Sequence, residues 1–251
     1  MSATYADVDG SPDPAYAVAS QEVVDSWPDV QVYKQHTRHL LAGCGPVLDV
    51  GCGPGLDLVE QGRGTAVGVD ASLAMCLTAR ARAGPCVAAG EGSALPFADE
   101  SFGGVRADRV LQHLAHPVAC LREMARVCRP GGRLVIADPD QETLVISVPG
   151  VPPALTDRVK ALRRDIGYRN GRFVTTLPEE LDRMGFVDIA TRAFPLVLTR
   201  ADLAFGLPGW PRLWQREGGF TDEEIVRWER AVAQSPIVYA LLYFTVAATK
   251  P

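Results

Sequence analysis

The stretch VLDVGCGPG, residues 47–55, constrains the fold of this chain more than any other feature. An apolar run with one acid, Asp49, is followed by glycine at every second position, at Gly51, Gly53 and Gly55. Glycine adopts positive φ angles and lets the backbone approach a ligand at a distance that a Cβ atom would block. The stretch therefore predicts a buried strand that ends in a turn lying against a ligand.

Beyond this turn, short apolar runs alternate with helical patterns as far as RLVIAD at residues 133–138. Such alternation is typical of a parallel sheet with crossover helices, and five strand and helix units fit between residues 47 and 138. Farther along, VDIATRAFPLVL at 187–198 and PIVYALLYFTVAATK at 236–250 have the β-branched and aromatic content of strands. The pattern predicts an α/β fold whose last two strands follow a more helical region.

The chain divides into two predicted parts. Residues 1–39 form an N-terminal arm and helix that could act as a lid, and the first 15 or so residues have the Asp, Ser and Pro content of a mobile arm. Residues 40–251 form the main domain. A helical cap is expected as an insertion around residues 199–235, a region that contains three of the four tryptophans.

Composition narrows the choice of partners and compartment. The net charge of -5 shows no excess of basic residues, which disfavours nucleic acid as a partner. The six cysteines include no C-x-x-C pair and are expected to be reduced thiols. No basic leader precedes an apolar stretch, and no apolar run approaches 18 residues. We expect a cytoplasmic protein that acts on a small molecule, without a membrane partner and as a monomer or homodimer.

The glycine turn could hold a phosphate or another group, and its spacing favours the second. A dinucleotide site needs a third glycine three residues after the second, but position 56 is Leu. A phosphate-binding Walker loop needs a lysine, which GPGLDL lacks. Asp49 would repel a pyrophosphate and attract a cation. Asp70 ends the run AVGVD, where nucleoside-binding α/β folds place a ribose-binding carboxylate. A nicotinamide-dependent dehydrogenase is an alternative from another class, and the missing third glycine of the dinucleotide pattern disfavours it.

Five motifs in order carry a family resemblance: VLDVGCGPG, GVDAS, GEGSALPFADESFGGV, RVLQHL and ARVCRPGGRLVIAD. Together they resemble class I S-adenosylmethionine-dependent methyltransferases, nearest to the ubiquinone and menaquinone biosynthesis type, over roughly residues 40–140 and the final strand pair. The resemblance implies a Rossmann-like, seven-stranded, mostly parallel sheet with helices on both faces and a small helical cap. It also implies S-adenosyl-L-methionine as cofactor and S-adenosyl-L-homocysteine as product.

The same resemblance implies which residues meet the cofactor. The glycines would line its methionyl and ribose part, Asp49 would lie near its amino group and Asp70 would accept from the ribose hydroxyls. Glu91 takes the place of the usual aspartate at the adenine amino group. The full set expected at the cofactor is Asp49, Gly51, Cys52, Gly53, Gly55, Asp70, Ala71, Glu91, Gly92, Ser93, Arg106 and Ala107.

Methyl transfer from a sulfonium needs positioning, and a base only if the acceptor starts protonated. His113, in RVLQHL, is the candidate base, although a structural histidine near the cofactor is the alternative. His36 and His39 lie three residues apart on one helix, but no Cys or acid pattern accompanies them. We expect no metal.

Tyr16, Tyr33, Trp210 and Trp214 are candidates for walls around an apolar or aromatic acceptor, although aromatic residues of a helical insertion could equally form its own core. The favoured function is methyl transfer to oxygen or nitrogen of a small, partly hydrophobic metabolite, in natural-product or quinone-like biosynthesis. Two alternatives stay open because a fold and a cofactor site do not determine the reaction. One is an enzyme of this fold with a non-methylating reaction, such as a cyclisation or pericyclic step; the other is a noncatalytic cofactor-binding protein.

Overall fold

The computed structural model describes residues 8–10, 14–60, 65–84, 86–200, 205–234 and 236–251. Its strands form a seven-stranded sheet in the order β3-β2-β1-β4-β5-β7-β6. The strands are β1 (Val47–Val50), β2 (Ala66–Asp70), β3 (Val87–Ala89), β4 (Phe102–Asp108), β5 (Cys128–Ser147), β6 (Val187–Leu198) and β7 (Val238–Thr249). This sheet confirms the predicted seven-stranded, mostly parallel architecture.

The strand directions decide where a ligand can bind. β1 to β5 run parallel to their neighbours, whereas β7 lies antiparallel between β5 and β6. All four residues of β1 are buried, as a central strand covered on both faces requires. The chain order reverses between β1 and β4, and ligands of open α/β sheets bind at the carboxyl ends of the strands at such a point.

Helices cover the two faces of the sheet. α5 begins at Pro117, which needs no N–H partner at a helix start, and buries one apolar face that includes Leu121 and Met124. The helices within the described residues are α1 (Pro14–Asp25), α2 (Pro28–Leu40), α3 (Leu56–Glu60), α4 (Leu73–Ala83), α5 (Pro117–Val127), α6 (Pro153–Asp165), α7 (Leu177–Arg183), α8 (Trp210–Leu213), α9 (Gln215–Gly218) and α10 (Asp222–Gln234). None of these helices combines the length and the apolar content that crossing a bilayer would need.

β5 is longer than its sequence predicts. The expected strand ends at Asp138, but the observed strand continues to Ser147 and pairs with β7 along this extension, with a register shift between Asp140 and Val145. The prediction fails because Pro139 and its neighbouring acids have low strand propensity, and the pairing with β7 overrides that local preference. This extension of β5 continues past the end of β4, and the parts of β7 and β6 that pair beside it continue with it. We call these three segments the β5, β6 and β7 extensions.

The extended strands carry the cap. Trp210, Trp214 and Trp228 are buried in one apolar cluster with side chains of the β5, β6 and β7 extensions. Trp27 and Tyr33, from the N-terminal helical region, belong to the same cluster. The cap around 199–235, of which residues 201–204 and 235 lie outside the described ranges, is therefore packed on the same core as the N-terminal helices. Most of the predicted mobile arm also lies outside the described residues.

Candidate active site

A cavity of about 450 Å³ lies at the carboxyl ends of β1, β2 and β4. Ligand pockets of proteins commonly have volumes of about 300 to 1,000 Å³, so a small molecule fits here. Its lining comes from two groups of segments. The turn after β1 and the ends of β2 and β3 supply Asp49, Gly51, Cys52, Gly53, Asp70, Ala71, Glu91, Gly92 and Ser93. α2, the segment after β4 and the loop after α6 supply Lys34, Asp108, Arg109, Val110, His113 and Arg169.

The three glycines of the turn have different roles. A Cβ at Gly51 would collide with the Val110 side chain, and a Cβ at Gly55 would lie 2.9 Å from the Cβ of Ala79. A Cβ at Gly53, whose φ is +52°, would meet no protein atom within 4 Å. Gly53 lines the cavity, so such an atom would project into the space for a ligand, whereas Gly55 does not line it. The missing Cβ of Gly55 makes room for α4, and its contact with the cofactor stays a prediction.

Asp70 is held in a fixed orientation at the end of β2. One carboxylate oxygen accepts from the Gly53 N–H at 2.8 Å and the other accepts from the Ser72 N–H at 2.9 Å. Burial raises the pKa of Asp70, although the two backbone hydrogen bonds act against that rise. Each carboxylate oxygen can accept more than one hydrogen bond, so Asp70 can still accept from ligand hydroxyls.

The loop that follows β3 is held in place by hydrogen bonds to two side chains of α5. Glu123 accepts from the Leu95 N–H at 2.8 Å, and Arg126 donates to the carbonyl oxygens of Leu95 and Phe97. These contacts fix the loop that presents Glu91, Gly92 and Ser93 to the cavity. A Cβ at Gly92 would lie 2.9 Å from Cys120 Sγ, so the loop packs closely on α5.

A buried network of charges lies below the cavity. Arg106, which is 1% exposed, has Nη1 3.2 Å from Asp57 and Nη2 3.4 Å from Asp108. Its Nε is 3.7 Å from Asp49, which is also buried. Lys34 lies 2.7 Å from Asp57 and 3.6 Å from Asp108. The acids and cations compensate one another where neither could be buried alone.

Asp49 and Asp57 respond to this network in opposite ways. Burial raises the pKa of Asp49 to about 7, and the neighbouring acids Asp57 and Asp108 add to the rise while Arg106 opposes it. Burial alone would raise the pKa of Asp57 as well, but Arg106 and Lys34 hold it below the ordinary value. A cation that entered the cavity beside Asp49 would stabilise its charged form. The α-ammonium of an amino-acid ligand meets this requirement.

Arg106 and Ala107 do not line the cavity, contrary to expectation. Both are buried within β4, which continues to Asp108. Residues before the end of a strand lie within the sheet, beneath the edge where ligands bind. Arg106 therefore acts through the acids that it contacts.

His113 lies on a 3-10 turn, Leu111–His113, that follows β4. Burial raises the pKa of the nearby Asp138 well above its ordinary value, and the backbone N–H groups of Gln112 and Leu111 in this turn act against that rise. The ring of His113 lies 5.2 Å from the ring of Tyr168. Burial, followed by Arg163, Arg109 and Arg169, lowers the pKa of His113 to about 3. The imidazole is therefore neutral at physiological pH and is a weak base.

The four aromatic side chains predicted to contact the substrate do not line the cavity. Trp210 and Trp214 are buried in the apolar cluster, which agrees with the alternative that they form a core. Tyr33 stacks on Tyr243 and donates its hydroxyl to Asp108 at 3.0 Å. Tyr16 is 59% exposed. Their contact with a substrate stays a prediction, because aromatic content alone does not distinguish a core from a ligand wall.

Several lining residues escaped the sequence analysis. Lys34 is a charged residue on the buried side of α2, and Arg169 belongs to a loop without a recognisable motif. Val8 is buried and lines the cavity beside Met75. Asp9 accepts from the Ser72 hydroxyl at 2.6 Å and from the Leu73 N–H at 2.7 Å, at the start of α4. For Val8 and Asp9, only one indication came from the sequence, the prediction that the N-terminal arm could act as a lid.

The histidine pair of α2 has no metal-like surroundings. The ring of His36 lies 5.2 Å from that of Phe194, and burial lowers its pKa. Across the part of the chain that the structure describes, no three His, Cys, Asp or Glu side chains are grouped so that they could hold a metal ion. That the reaction needs no metal stays a prediction.

Comparison with known sequences finds similarity over the central part of the chain. Residues 48–136 match the family model of a methyltransferase domain. A demethylmenaquinone methyltransferase of Mycolicibacterium paratuberculosis is 41% identical over 111 residues, which are 42% of this chain and 47% of that protein. An uncharacterised 37.1 kDa protein of transposon TN4556 from Streptomyces fradiae is 44% identical over 111 residues, 43% of this chain and 31% of that protein. The chain thus spans less than half the length of these curated relatives.

Solved structures share the fold. A Bacillus halodurans protein with a provisional methyltransferase name aligns with a TM-score of 0.57 and 18% identity, over 82% of this chain and 93% of that one. The YcgJ protein of Bacillus subtilis aligns with a TM-score of 0.56 and 18% identity, over 86% and 98%. At such identities the likeness concerns the fold alone. Residues 48–136 thus match a methyltransferase domain, and the sheet order agrees with the Rossmann-like fold of S-adenosylmethionine-dependent methyltransferases.

Proposed function

We propose that the protein transfers a methyl group from S-adenosyl-L-methionine to oxygen or nitrogen of a small, partly hydrophobic metabolite, in natural-product or quinone-like biosynthesis. The observation that carries this proposal is one cavity with two different halves. One half holds Gly53, Asp49 and Asp70, whose arrangement suits a nucleoside with an amino-acid tail. The other half is lined by His113, Arg109 and Arg169, and we place the acceptor there.

The residues of the first half fit the cofactor by their chemistry. Gly53 leaves space that a side chain would fill, Asp70 is oriented to accept from ribose hydroxyls, and Asp49 is a buried acid that a cation would stabilise. When bound, S-adenosylmethionine supplies a methyl group on a positively charged sulfur, which is already activated for displacement. The protein's contribution is to position the acceptor in line with that group and to exclude water.

Among the described residues of the second half, His113 is not a strong base. His113 is neutral and can accept a hydrogen bond from an acceptor, but its lowered pKa makes it a poor proton acceptor. We therefore assign His113 to the acceptor as a hydrogen-bonding partner. Proximity and orientation account for the rate enhancement.

The quinone-like acceptor rests on the name of the mycobacterial relative, whose similarity covers less than half of either chain. We further propose that the protein works in the cytoplasm on a free small molecule, without nucleic acid or a membrane surface, as a monomer or homodimer. Light scattering of the purified protein distinguishes the two oligomeric states.

Calorimetric titration with S-adenosylmethionine, S-adenosylhomocysteine and NAD tests the cofactor. We expect binding of the first two and none of NAD. Asp70→Ala should weaken binding about tenfold or more, because charge-assisted hydrogen bonds are lost. Asp182→Ala, which removes an exposed carboxylate from α7, is the matched control and should leave the affinity unchanged. Transfer of labelled methyl to a panel of metabolites then tests the reaction. Binding of NAD alone would contradict the proposal.

A further inference from the structure

The two halves of the cavity differ in charge. The turn after β1 and the ends of β2 and β3 present Asp49, Asp70 and Glu91. The opposite half presents Arg109 and Arg169 beside His113. A nucleoside with a sulfonium and an ammonium group suits the acidic half. The positive charge of the other half should then match the charge of the methyl acceptor.

Arg109 is placed in the cavity by its backbone. It follows β4 directly with a φ of +59°, a left-handed conformation that costs a non-glycine residue free energy. Its N–H donates to the Ala137 carbonyl at 2.7 Å, which holds this conformation. Its side chain is only 13% exposed and lines the cavity. A cation is thus kept at the edge of the sheet despite a local strain.

Arg169 reaches the same half of the cavity from the loop after α6, which is held in place by hydrogen bonds. Asn170 follows it directly, and its N–H donates to the Gln112 carbonyl at 3.0 Å while its side-chain amide donates to the Leu114 carbonyl. The Gln141 N–H donates to the Gly171 carbonyl at 2.8 Å. These bonds attach the loop to the turn of His113. Arg169 is exposed at the mouth of the cavity and also lines it.

Arg163 adds a third positive charge behind this surface. Its guanidinium lies 4.3 Å from the ring centre of Tyr168 and 4.4 Å from that of Trp210. The carboxylate nearest in sequence, Asp108, lies 3.8 Å from Arg109 but is shared with Lys34 and Arg106. After burial, which is the largest cause, Arg163, Arg109 and Arg169 each lower the pKa of the His113 imidazole.

We propose that the methyl acceptor is an oxyanion, either a carboxylate or an acidic hydroxyl that has already ionised, and that Arg109 and Arg169 hold it beside His113. This inference rests on the proposed function and names the substrate class of the same site. It explains why a reaction at oxygen proceeds here without a strong base. Arg169 lies outside the segment that matches the family model.

The transfer then needs no proton movement. A lone pair of the anionic oxygen forms the new bond to the methyl carbon as the bond from that carbon to sulfur breaks. The bonding electron pair stays on sulfur, which becomes a neutral thioether. The negative charge of the acceptor and the positive charge of the sulfonium disappear together, so the products are a neutral methyl ester or ether and S-adenosylhomocysteine.

Matched probes test this preference in the protein saturated with S-adenosylhomocysteine. Salicylate and its neutral amide, salicylamide, are titrated at pH 6 by calorimetry. We expect salicylate to bind about tenfold or more tightly, the effect of a charge-assisted hydrogen bond. To separate carboxylate from ionised hydroxyl, 4-nitrophenolate is compared with its methyl ether, 4-nitroanisole, at pH 8, where the phenol is mostly ionised.

Variants assign the preference to the two arginines. Arg169→Gln alters an exposed loop side chain and should fold normally, and it should remove most of the difference between salicylate and salicylamide. Arg109→Gln should do the same. Arg164→Gln, which removes a surface charge paired with Asp165, is the matched control and should keep the difference.

Three results would overturn the inference: equal binding of salicylate and salicylamide, absence of binding by either anionic probe, or a preference that survives in both Arg169→Gln and Arg109→Gln. In each case S-adenosylhomocysteine would still bind, so the proposed function would stand. Failure of S-adenosylhomocysteine itself to bind would instead reject the proposed function.

Discussion

Binding of the cofactor product should release a measurable fraction of a proton from Asp49. Burial raises the pKa of this acid to about 7, so roughly half of the free protein carries its proton at pH 7. An ammonium group within ion-pair distance lowers a carboxyl pKa by about 1 to 3 units, which would bring Asp49 to roughly 4 to 6. The complex would then keep at most about a tenth of a proton, and roughly 0.4 to 0.5 protons would be released on binding.

The assay is calorimetric titration of S-adenosylhomocysteine at pH 7 in phosphate and in Tris, buffers with very different ionisation enthalpies. The slope of the observed enthalpy against buffer ionisation enthalpy gives the number of protons released. Because release accompanies binding, the affinity should rise as the pH increases from 6 to 8. At pH 8 the release should fall to roughly 0.1 protons, since the free acid is then mostly ionised.

Asp49→Asn and a second ligand serve as controls. The variant cannot release this proton, so its observed enthalpy should be nearly the same in both buffers. 5′-Methylthioadenosine lacks the amino-acid tail and should release almost no proton from the unaltered protein. The reasoning would be refuted if proton release were absent in the unaltered protein or if Asp49→Asn released as much.

Three further predictions concern the turn, the imidazole and the N-terminal segment. Gly53→Ala should weaken S-adenosylhomocysteine binding in calorimetry, whereas Gly185→Ala, with a similar positive φ and open surroundings, should cost similar folding stability and leave binding intact. His113→Ala should reduce turnover by less than the roughly 100-fold expected for loss of a general base, with cofactor affinity unchanged; a larger loss would restore the base role. Asp9→Ala should speed the release of S-adenosylhomocysteine, measured by stopped flow, about 2- to 30-fold, because the hydrogen bond from Asp9 to the start of α4 is lost. An unchanged rate would contradict the prediction that the N-terminal arm acts as a lid.

The cofactor half of the site could be predicted because its information is local. The glycine spacing and the acid at the end of the next strand depend on neighbouring residues, and the structure brings Gly53 and Asp70 into direct contact. The strand β6 was predicted with its observed bounds, since β-branched and aromatic residues run through its length. Local propensity and tertiary structure agree in these segments.

The acceptor half could not be predicted because it is assembled from distant segments. Lys34 lines the cavity from α2, and its partner Asp57 comes from α3. Arg169 reaches the cavity through hydrogen bonds to a turn more than 50 residues earlier. The extension of β5 depends on β7, almost 100 residues away. Such contacts leave no periodic signal in the chain.

The position of β7 in the sheet means that two other segments, β6 and α2, lack a partner until β7 has been synthesised. In the described sheet, β6 neighbours β7 alone, and β7 is the last strand to leave the ribosome. A nascent chain that carries β1 to β6 has no partner for β6, and Tyr33 of α2 still lacks Tyr243, on which it stacks. α2 therefore gains that support only after β7 has been made. Synthesis stalled before β7 would therefore yield a chain whose glycine turn is present but whose β5 extension and Tyr33 lack their partners on β7.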